Sequence, residues 1–160
     1  MTSNFLKVAL LSVIIPLSAC NADTSTNKNV APKSVASAPV KQAGGYSNID
    51  NATLQSLLDQ KKVVLVDIRR QEEWQQTGIV KGANTITFFD NTGRINPKFV
   101  PQFTALAKPD QTVALMCRTG SRTQAASQAI AQQLGYKNVL NVTHGIMGWM
   151  AEKRPVVKYK

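Results

Sequence analysis

The sequence contains few residues that build metal sites and few acidic side chains. Its 160 residues include two cysteines, Cys20 and Cys117, and one histidine, His144. A zinc site made from clusters of cysteine and histidine needs more ligands than these, so we expect no metal. Nine acidic side chains stand against 19 lysines and arginines, which gives a formal net charge of +10. This balance suits lipid headgroups, anionic solutes or phosphate backbones and by itself selects none of them.

The first 20 residues have the pattern of a secretory signal. Lys7 precedes an apolar run over residues 8–17, which is too short to span a bilayer. The ending Leu17-Ser18-Ala19-Cys20 resembles the lipobox of bacterial lipoproteins. This resemblance implies a lipoprotein signal peptide over residues 1–20 and a mature protein anchored to the lipid bilayer through acylated Cys20, in the cell envelope and facing the periplasm. Asn21 favours the outer membrane over the inner one. The alternative is an ordinary signal peptide with a cysteine near its cleavage site.

The rest of the chain divides into a polar segment and a folded part. Residues 21–44 contain no aromatic residue and no sustained apolar period, so we predict a disordered linker there. The apolar content of 43% supports one core over residues 45–157 and excludes a large multidomain enzyme. On a tethered periplasmic protein, the basic charge is expected to meet lipid headgroups or small anions rather than nucleic acid.

Apolar patterns after residue 44 predict strands alternating with helices. Branched runs predict buried strands over residues 63–68, 113–116 and 139–142, a shorter strand over 85–88 and an edge strand over 46–49. Helices are predicted after Asp50, over 71–76, from Pro97 with Phe99, Val100 and Phe103 on one side, over 123–134 and around Trp149. This alternation indicates an α/β fold with a mainly parallel central sheet of about five strands and helices on both faces.

Cys117 lies between a predicted buried strand and a predicted helix. Ligands of open parallel sheets bind beyond the carboxyl ends of the strands, so we expect an exposed sulfur there. Gly120 can adopt a positive φ, which lets successive backbone N–H groups face the sulfur. Arg118, Arg122 and the start of the following helix all favour thiolate over thiol. The alternative, a small buried cysteine that only packs, does not explain the glycine and two arginines beside it.

Six motifs in order resemble a single-domain rhodanese of the rhodanese-like sulfurtransferase superfamily. They occupy residues 64–69, 73–74, 78–83, 117–122, 135–139 and 145–149. The resemblance implies that Cys117 takes sulfane sulfur from a small anionic donor such as thiosulfate, forms a persulfide and passes the sulfur to a thiol or to cyanide. This chemistry needs no metal and no organic cofactor. The resemblance also implies that backbone amides of the loop line the substrate pocket, from Arg118, Thr119, Gly120, Ser121, Arg122 and Thr123.

Two other functions remain open at this point. The loop from Cys117 to Arg122 is similar to the cysteine loop of cell-cycle dual-specificity phosphatases and arsenate reductases, but in those proteins five residues separate the cysteine from the arginine. Here four residues separate Cys117 from Arg122. The shorter ring has room for a sulfur on the cysteine and fits a tetrahedral phosphate less well, which favours sulfur transfer. The second alternative is a non-catalytic rhodanese-like interaction module or a persulfide carrier at the membrane.

Several further residues are interpreted as structural. Asp67 and Arg69 lie at the end of a buried strand, and we favour an ion pair that supports the neighbouring loops over contact with substrate. Trp74 and Trp149 are interpreted as core aromatics. His144 could act as an acid or base near the loop, but nothing in its spacing connects it with Cys117, so we favour polar surface.

Overall fold

The computed structural model describes residues 35–160 and builds them around one mixed sheet. In chain order the strands are β1 (Val40–Lys41), β2 (Ser47–Ile49), β3 (Val64–Asp67), β4 (Asn84–Thr85), β5 (Thr112–Met116) and β6 (Asn138–Val142). The helices are α1 (Asn51–Asp59), α2 (Gln71–Thr77), α3 (Phe99–Leu106), α4 (Ser121–Gln133) and α5 (Gly145–Ala151). The strand order is β1-β2-β6-β5-β3-β4, and every pairing is parallel except that of β1 with β2.

The predicted α/β architecture, with helices on both faces of a mainly parallel sheet, is confirmed. One core layer packs residues of α3 and α4 against the sheet and includes Phe99, Phe103 and Ile130. The other packs α1 and α5 against the opposite face and includes Leu54 and Trp149. Burial on both faces explains why β3 over residues 64–66 and β5 over residues 113–116 are continuously apolar rather than alternating.

The sheet has six strands instead of about five, because its first strand lies within the segment predicted as linker. Val40 pairs with Asn48 and Lys41 with Ser47, so β1 is the edge strand and β2 is an inner one. Ser37 also donates to the carboxylate of Asp50, which caps α1 by accepting the Thr53 N–H at 2.7 Å. Over residues 35–44 the linker prediction is therefore wrong in part, since pairing with later residues orders a stretch whose own composition is polar.

Two elements after α2 also differ from the prediction. The strand predicted over residues 85–88 is limited to Asn84–Thr85. The next helix begins at Phe99 rather than Pro97, because Asn96 forms a turn in which its side chain accepts the Lys98 N–H and its carbonyl accepts the Phe99 N–H. Val100, predicted on the apolar side of this helix, is exposed.

Central strands β3 and β5 bring the chemically important residues to one edge of the sheet. Asp67 is the register partner of Met116, and each is the last residue of its strand. The segments beginning with Ile68 and with Cys117 are therefore neighbours at the carboxyl end of the sheet, where open α/β folds bind ligands. The predicted signal peptide, the Cys20 lipidation site and linker residues 21–34 lie outside the described residues. None of the helices in residues 35–160 is long and apolar enough to cross a bilayer.

Candidate active site

Cys117 immediately follows β5 and begins the short turn that leads into α4. Gly120 is the residue before this helix and has φ +95°, the left-handed conformation that favours glycine. A Cβ atom at this position would lie 2.0 Å from the Thr143 carbonyl oxygen, so the loop can approach the β6–α5 connection this closely only with glycine. The positive φ expected from the sequence is present.

Gly120 and Thr123 both lie within contact distance of the sulfur. The Gly120 N–H donates to Cys117 Sγ at an N···S distance of 3.1 Å. The Thr123 hydroxyl lies 3.5 Å from the sulfur and donates to the Gly120 carbonyl at 2.7 Å. Because the hydroxyl has one hydrogen and gives it to the Gly120 carbonyl, it does not donate a hydrogen bond to the sulfur in this arrangement. Among the loop amides that the resemblance implies, Gly120 provides the one hydrogen bond to the sulfur recorded in the described residues.

The expectation of an exposed cysteine is wrong. Cys117 is 1% exposed and packs in the core layer that contains Ala126 and Ile130. The physical reason is that the loop folds over the sulfur and is held there by α5. Its Cys117 carbonyl accepts the Ile146 N–H at 2.9 Å, and its Arg118 carbonyl accepts the Met147 N–H at 3.1 Å. The Cys117 side chain is therefore covered by its own loop in this structure.

Arg122 is held in an ion pair with Glu73, which joins the loop to α2. Its two terminal nitrogens donate to the two carboxylate oxygens at 2.7 and 2.6 Å. The hydrogen bonds that Arg122 donates to Glu73 raise the pKa of Arg122 above its ordinary value, and Cys117 contributes in the same direction. Partial burial opposes ionisation of Glu73, but the hydrogen bonds from Arg122 lower its pKa below 4.5. Much of the Arg122 charge is thus balanced before any substrate arrives.

Asp67 and Arg69 form a buried ion pair behind the loop, in agreement with the structural interpretation of these residues. Arg69 donates to both oxygens of Asp67, with the shortest distance 2.7 Å. The Arg69 Nη1 atom donates to the Glu73 carbonyl and to the Thr77 hydroxyl. Because one guanidinium connects β3 with both ends of α2, this pair positions the helix that carries Glu73.

The remaining loop residues are open to solvent. Arg118, Thr119 and Ser121 are exposed, and the Thr119 and Ser121 hydroxyls lie 3.5 Å apart. Within the part of the chain that the structure describes, the Arg118 guanidinium has no ion-pair partner. The structure therefore brings Gly120, Arg122 and Thr123 to the sulfur, and it leaves Arg118 as the unbalanced charge of the loop.

Sequence reasoning missed residues that hold the loop from other parts of the chain. Glu73 belongs to the motif at residues 73–74, but its partner Arg122 is 49 positions away, so the sequence does not reveal their pairing. Gly145 is needed because a Cβ there would lie 2.5 Å from the Cys117 carbonyl oxygen. His144 is exposed, as expected for polar surface, while Trp74 and Trp149 are buried. Residues 35–160 contain no group of three His, Cys, Asp or Glu side chains that could hold a metal ion.

This geometry agrees with a match to a family model. The model of the rhodanese-like domain matches residues 50–152, which include the whole site. The chain belongs to the rhodanese-like family. The match contains the Cys117 loop, helix α2 with Glu73 and the start of α5 at Gly145, so every element that forms the site lies within the rhodanese-like domain.

Relatives from several bacteria are similar to parts of this domain. A sulfurtransferase of Allochromatium vinosum is 32% identical over 112 residues, covering 69% of this chain and 94% of the relative. A thiosulfate sulfurtransferase of Vibrio cholerae is 28% identical over 111 residues, with the same coverage of both chains. An uncharacterized protein of Rickettsia prowazekii is 36% identical over 88 residues, covering 52% of this chain and 69% of the relative.

Solved structures support the fold. A rhodanese-related protein from Thermoplasma volcanium superimposes with a TM-score of 0.57 at 24% identity, covering 70% of this chain and 98% of that one. At this identity the likeness concerns the architecture of the rhodanese-like domain and no further property.

Proposed function

We propose that this chain is a sulfurtransferase that moves sulfane sulfur from a donor such as thiosulfate to a thiol or cyanide through a persulfide on Cys117. The observation that carries the proposal is the geometry of the sulfur, which lies beyond β5 and accepts the Gly120 N–H at 3.1 Å. The names of the Allochromatium and Vibrio relatives support the same chemistry. The ring of four residues between Cys117 and Arg122 supports sulfur transfer over phosphate chemistry.

The proposed reaction has two steps that use the same sulfur. The Cys117 thiolate attacks the outer sulfur of thiosulfate, a new S–S bond forms, and the old one breaks with its electron pair leaving on sulfite. The acceptor then attacks the outer sulfur of the persulfide, and the electron pair returns to Cys117 Sγ. The Gly120 N–H stabilises the negative charge of the Cys117 thiolate, which is present before loading and is restored after transfer.

The burial of the sulfur and the pairing of Arg122 change how the donor approaches. The sequence indicates that Arg118 and Arg122 both attract the donor. Because Glu73 balances Arg122, Arg118 supplies most of the free positive charge at the loop. We propose that the donor meets Arg118 first and reaches the sulfur when the loop leaves its contact with Ile146 and Met147.

A turnover assay with matched cysteine variants tests the proposal. Purified wild-type protein is expected to convert thiosulfate and cyanide to sulfite and thiocyanate, and Cys117→Ser is expected to lose this activity while keeping its fold. Cys20→Ser is the matched control, because it removes the other cysteine of the chain and should keep turnover. Activity of Cys117→Ser equal to wild type would contradict the proposal.

One observation favours the second candidate, a persulfide carrier or interaction module without turnover. Cys117 is 1% exposed, as expected if the loop opens only when a partner docks. A carrier takes up one sulfur per chain and holds it, whereas an enzyme releases many thiocyanate molecules per chain. Measuring product formed per mole of protein over several hours therefore distinguishes the two.

We also propose that the protein is a lipoprotein of the bacterial cell envelope that faces the periplasm, at the outer rather than the inner membrane. The support is the ending Leu17-Ser18-Ala19-Cys20 followed by Asn21. Cells expressing the chain with labelled fatty acid should yield a labelled protein, and globomycin should block its processing. A mature form without lipid would contradict this proposal and leave the sulfur chemistry untouched.

A further inference from the structure

A small groove lies beside the loop on the side of Arg118. Its volume is about 170 Å³, well below the size of sites for drug-sized ligands. Its walls include Glu73, Thr77, Arg118, Ile146, Met147 and Met150. We refer to it as the Arg118 groove. It adjoins the sulfur-bearing loop directly, because the Ile146 and Met147 amides bind the Cys117 and Arg118 carbonyls.

One wall of the Arg118 groove is apolar and open to solvent. Met147 and Met150 lie on the same side of α5 and remain 43% and 39% exposed. Ile146 also lines the groove and is fully buried. Unbranched thioether side chains adapt their shape to small organic molecules and attract polarizable atoms such as sulfur. Thiosulfate and cyanide carry no hydrocarbon part that such a wall could cover.

The lining of the groove also includes an unbalanced positive charge. Arg118 has no ion-pair partner among residues 35–160. The one carboxylate that lines the groove, Glu73, is engaged by both terminal nitrogens of Arg122. Arg69, which also lines it, is paired with Asp67. A ligand in the groove therefore meets a free guanidinium and an apolar wall within a few ångströms of the reacting loop.

We propose that the Arg118 groove selects the sulfur acceptor, and that this acceptor is a small thiol that carries a carboxylate. The carboxylate would pair with Arg118, and the carbon chain would lie on Met147 and Met150 with its sulfur toward the loop. This inference rests on the proposed sulfurtransferase function and names the residues that determine its acceptor specificity. The small volume of the groove favours such a molecule over the thiol of a folded protein.

The transfer step balances without a further reactant. The acceptor thiolate attacks the outer sulfur of the Cys117 persulfide, and a new S–S bond joins that sulfur to the acceptor. The bond between the outer sulfur and Cys117 Sγ breaks, and its electron pair stays on Sγ as thiolate. The acceptor leaves as a persulfide, and no oxidant or reductant is consumed.

The unloading half-reaction tests this inference separately from loading. The full-length protein is treated with thiosulfate and desalted, and the loss of sulfur from Cys117 is followed by mass spectrometry after addition of mercaptoacetate or mercaptoethanol. These two thiols are nearly equal in size and differ in the carboxylate. Exposed ion pairs contribute about 0.2–1 kcal/mol, so Arg118→Gln should lower the rate ratio of mercaptoacetate to mercaptoethanol up to about five-fold at low salt.

Comparison of rate ratios removes the intrinsic reactivity of each thiol, because the same two thiols are used with every variant. Arg118→Glu should lower the ratio further than Arg118→Gln. Lys108→Gln is the matched control, since Lys108 is an exposed cation before the start of β5, at the end opposite Cys117, and it should keep the wild-type ratio.

Two results would overturn the inference. An unchanged ratio in both Arg118 variants would mean that this charge does not select the acceptor. Failure of mercaptoacetate to unload a persulfide that cyanide removes would exclude a small acidic thiol. Failure of thiosulfate to load Cys117 in the wild-type protein is a different result, because it contradicts the proposed function itself.

Discussion

Replacing Gly120 with alanine tests how the loop over the sulfur is built. Gly120 has φ +95°, and a left-handed conformation costs other residues about 1–2 kcal/mol. The new Cβ would also lie 2.0 Å from the Thr143 carbonyl oxygen and 2.6 Å from its carbon, both rigid backbone atoms. Overpacking of this kind costs about 1–3 kcal/mol. Gly120→Ala is therefore expected to lower the free energy of unfolding by about 2–5 kcal/mol, measured by urea denaturation.

Gly82→Ala separates the two contributions. Gly82 has φ +83°, but a Cβ there would meet no atom within 4 Å. This variant should lose only the conformational part, about 1–2 kcal/mol. If Gly120→Ala is no less stable than Gly82→Ala, the close approach between the loop and the β6–α5 connection is not a structural constraint, and the account of how the sulfur is covered is wrong.

Three further predictions concern the surroundings of Cys117. Because the pKa of Glu73 is lowered in the folded protein, its charge stabilises the fold above pH 4.5, and this stabilisation is lost as the pH falls through the pKa of the folded state. The difference in free energy of unfolding between wild type and Glu73→Gln, measured by urea titration, should therefore shrink on acidification. A constant difference would contradict the ion pair with Arg122. Asp67→Asn leaves Arg69 buried without its counter-ion and should cost about 3–5 kcal/mol in the same assay; a loss below 1 kcal/mol would refute this role. Iodoacetamide should modify Cys117 much more slowly in native than in urea-unfolded protein, and equal rates would show that the sulfur is accessible.

The sequence predicts the central part of the fold well, because that part is encoded locally. The branched runs over residues 63–68 and 113–116 form β3 and β5, and the position of Cys117 between a strand and a helix follows from those runs alone. Strand β1 was not predictable in this way. Its polar sequence is ordered by pairing with β2, and composition carries no information about such a partner.

The candidate site shows the same division between local and distant information. The glycine in the left-handed conformation and the residue types of the loop are visible in the sequence. The burial of Cys117 and the pairing of Arg122 with Glu73 are not, because they depend on segments brought together by the fold. Gly145 and Thr143 approach the loop from the β6–α5 connection, and Glu73 reaches it from α2. Positive charge at the loop was therefore overestimated, and exposure of the sulfur was wrongly expected.

The central claim is that the sulfur of Cys117 carries the transferred atom, and peptide mapping tests it most directly. The full-length protein is incubated with thiosulfate, digested without reductant and analysed by mass spectrometry before and after cyanide. The account predicts that the peptide with Cys117 gains the mass of one sulfur atom and loses it again to cyanide, while every other peptide keeps its mass. An unmodified Cys117 peptide, in protein whose fold is intact by circular dichroism, would contradict the account.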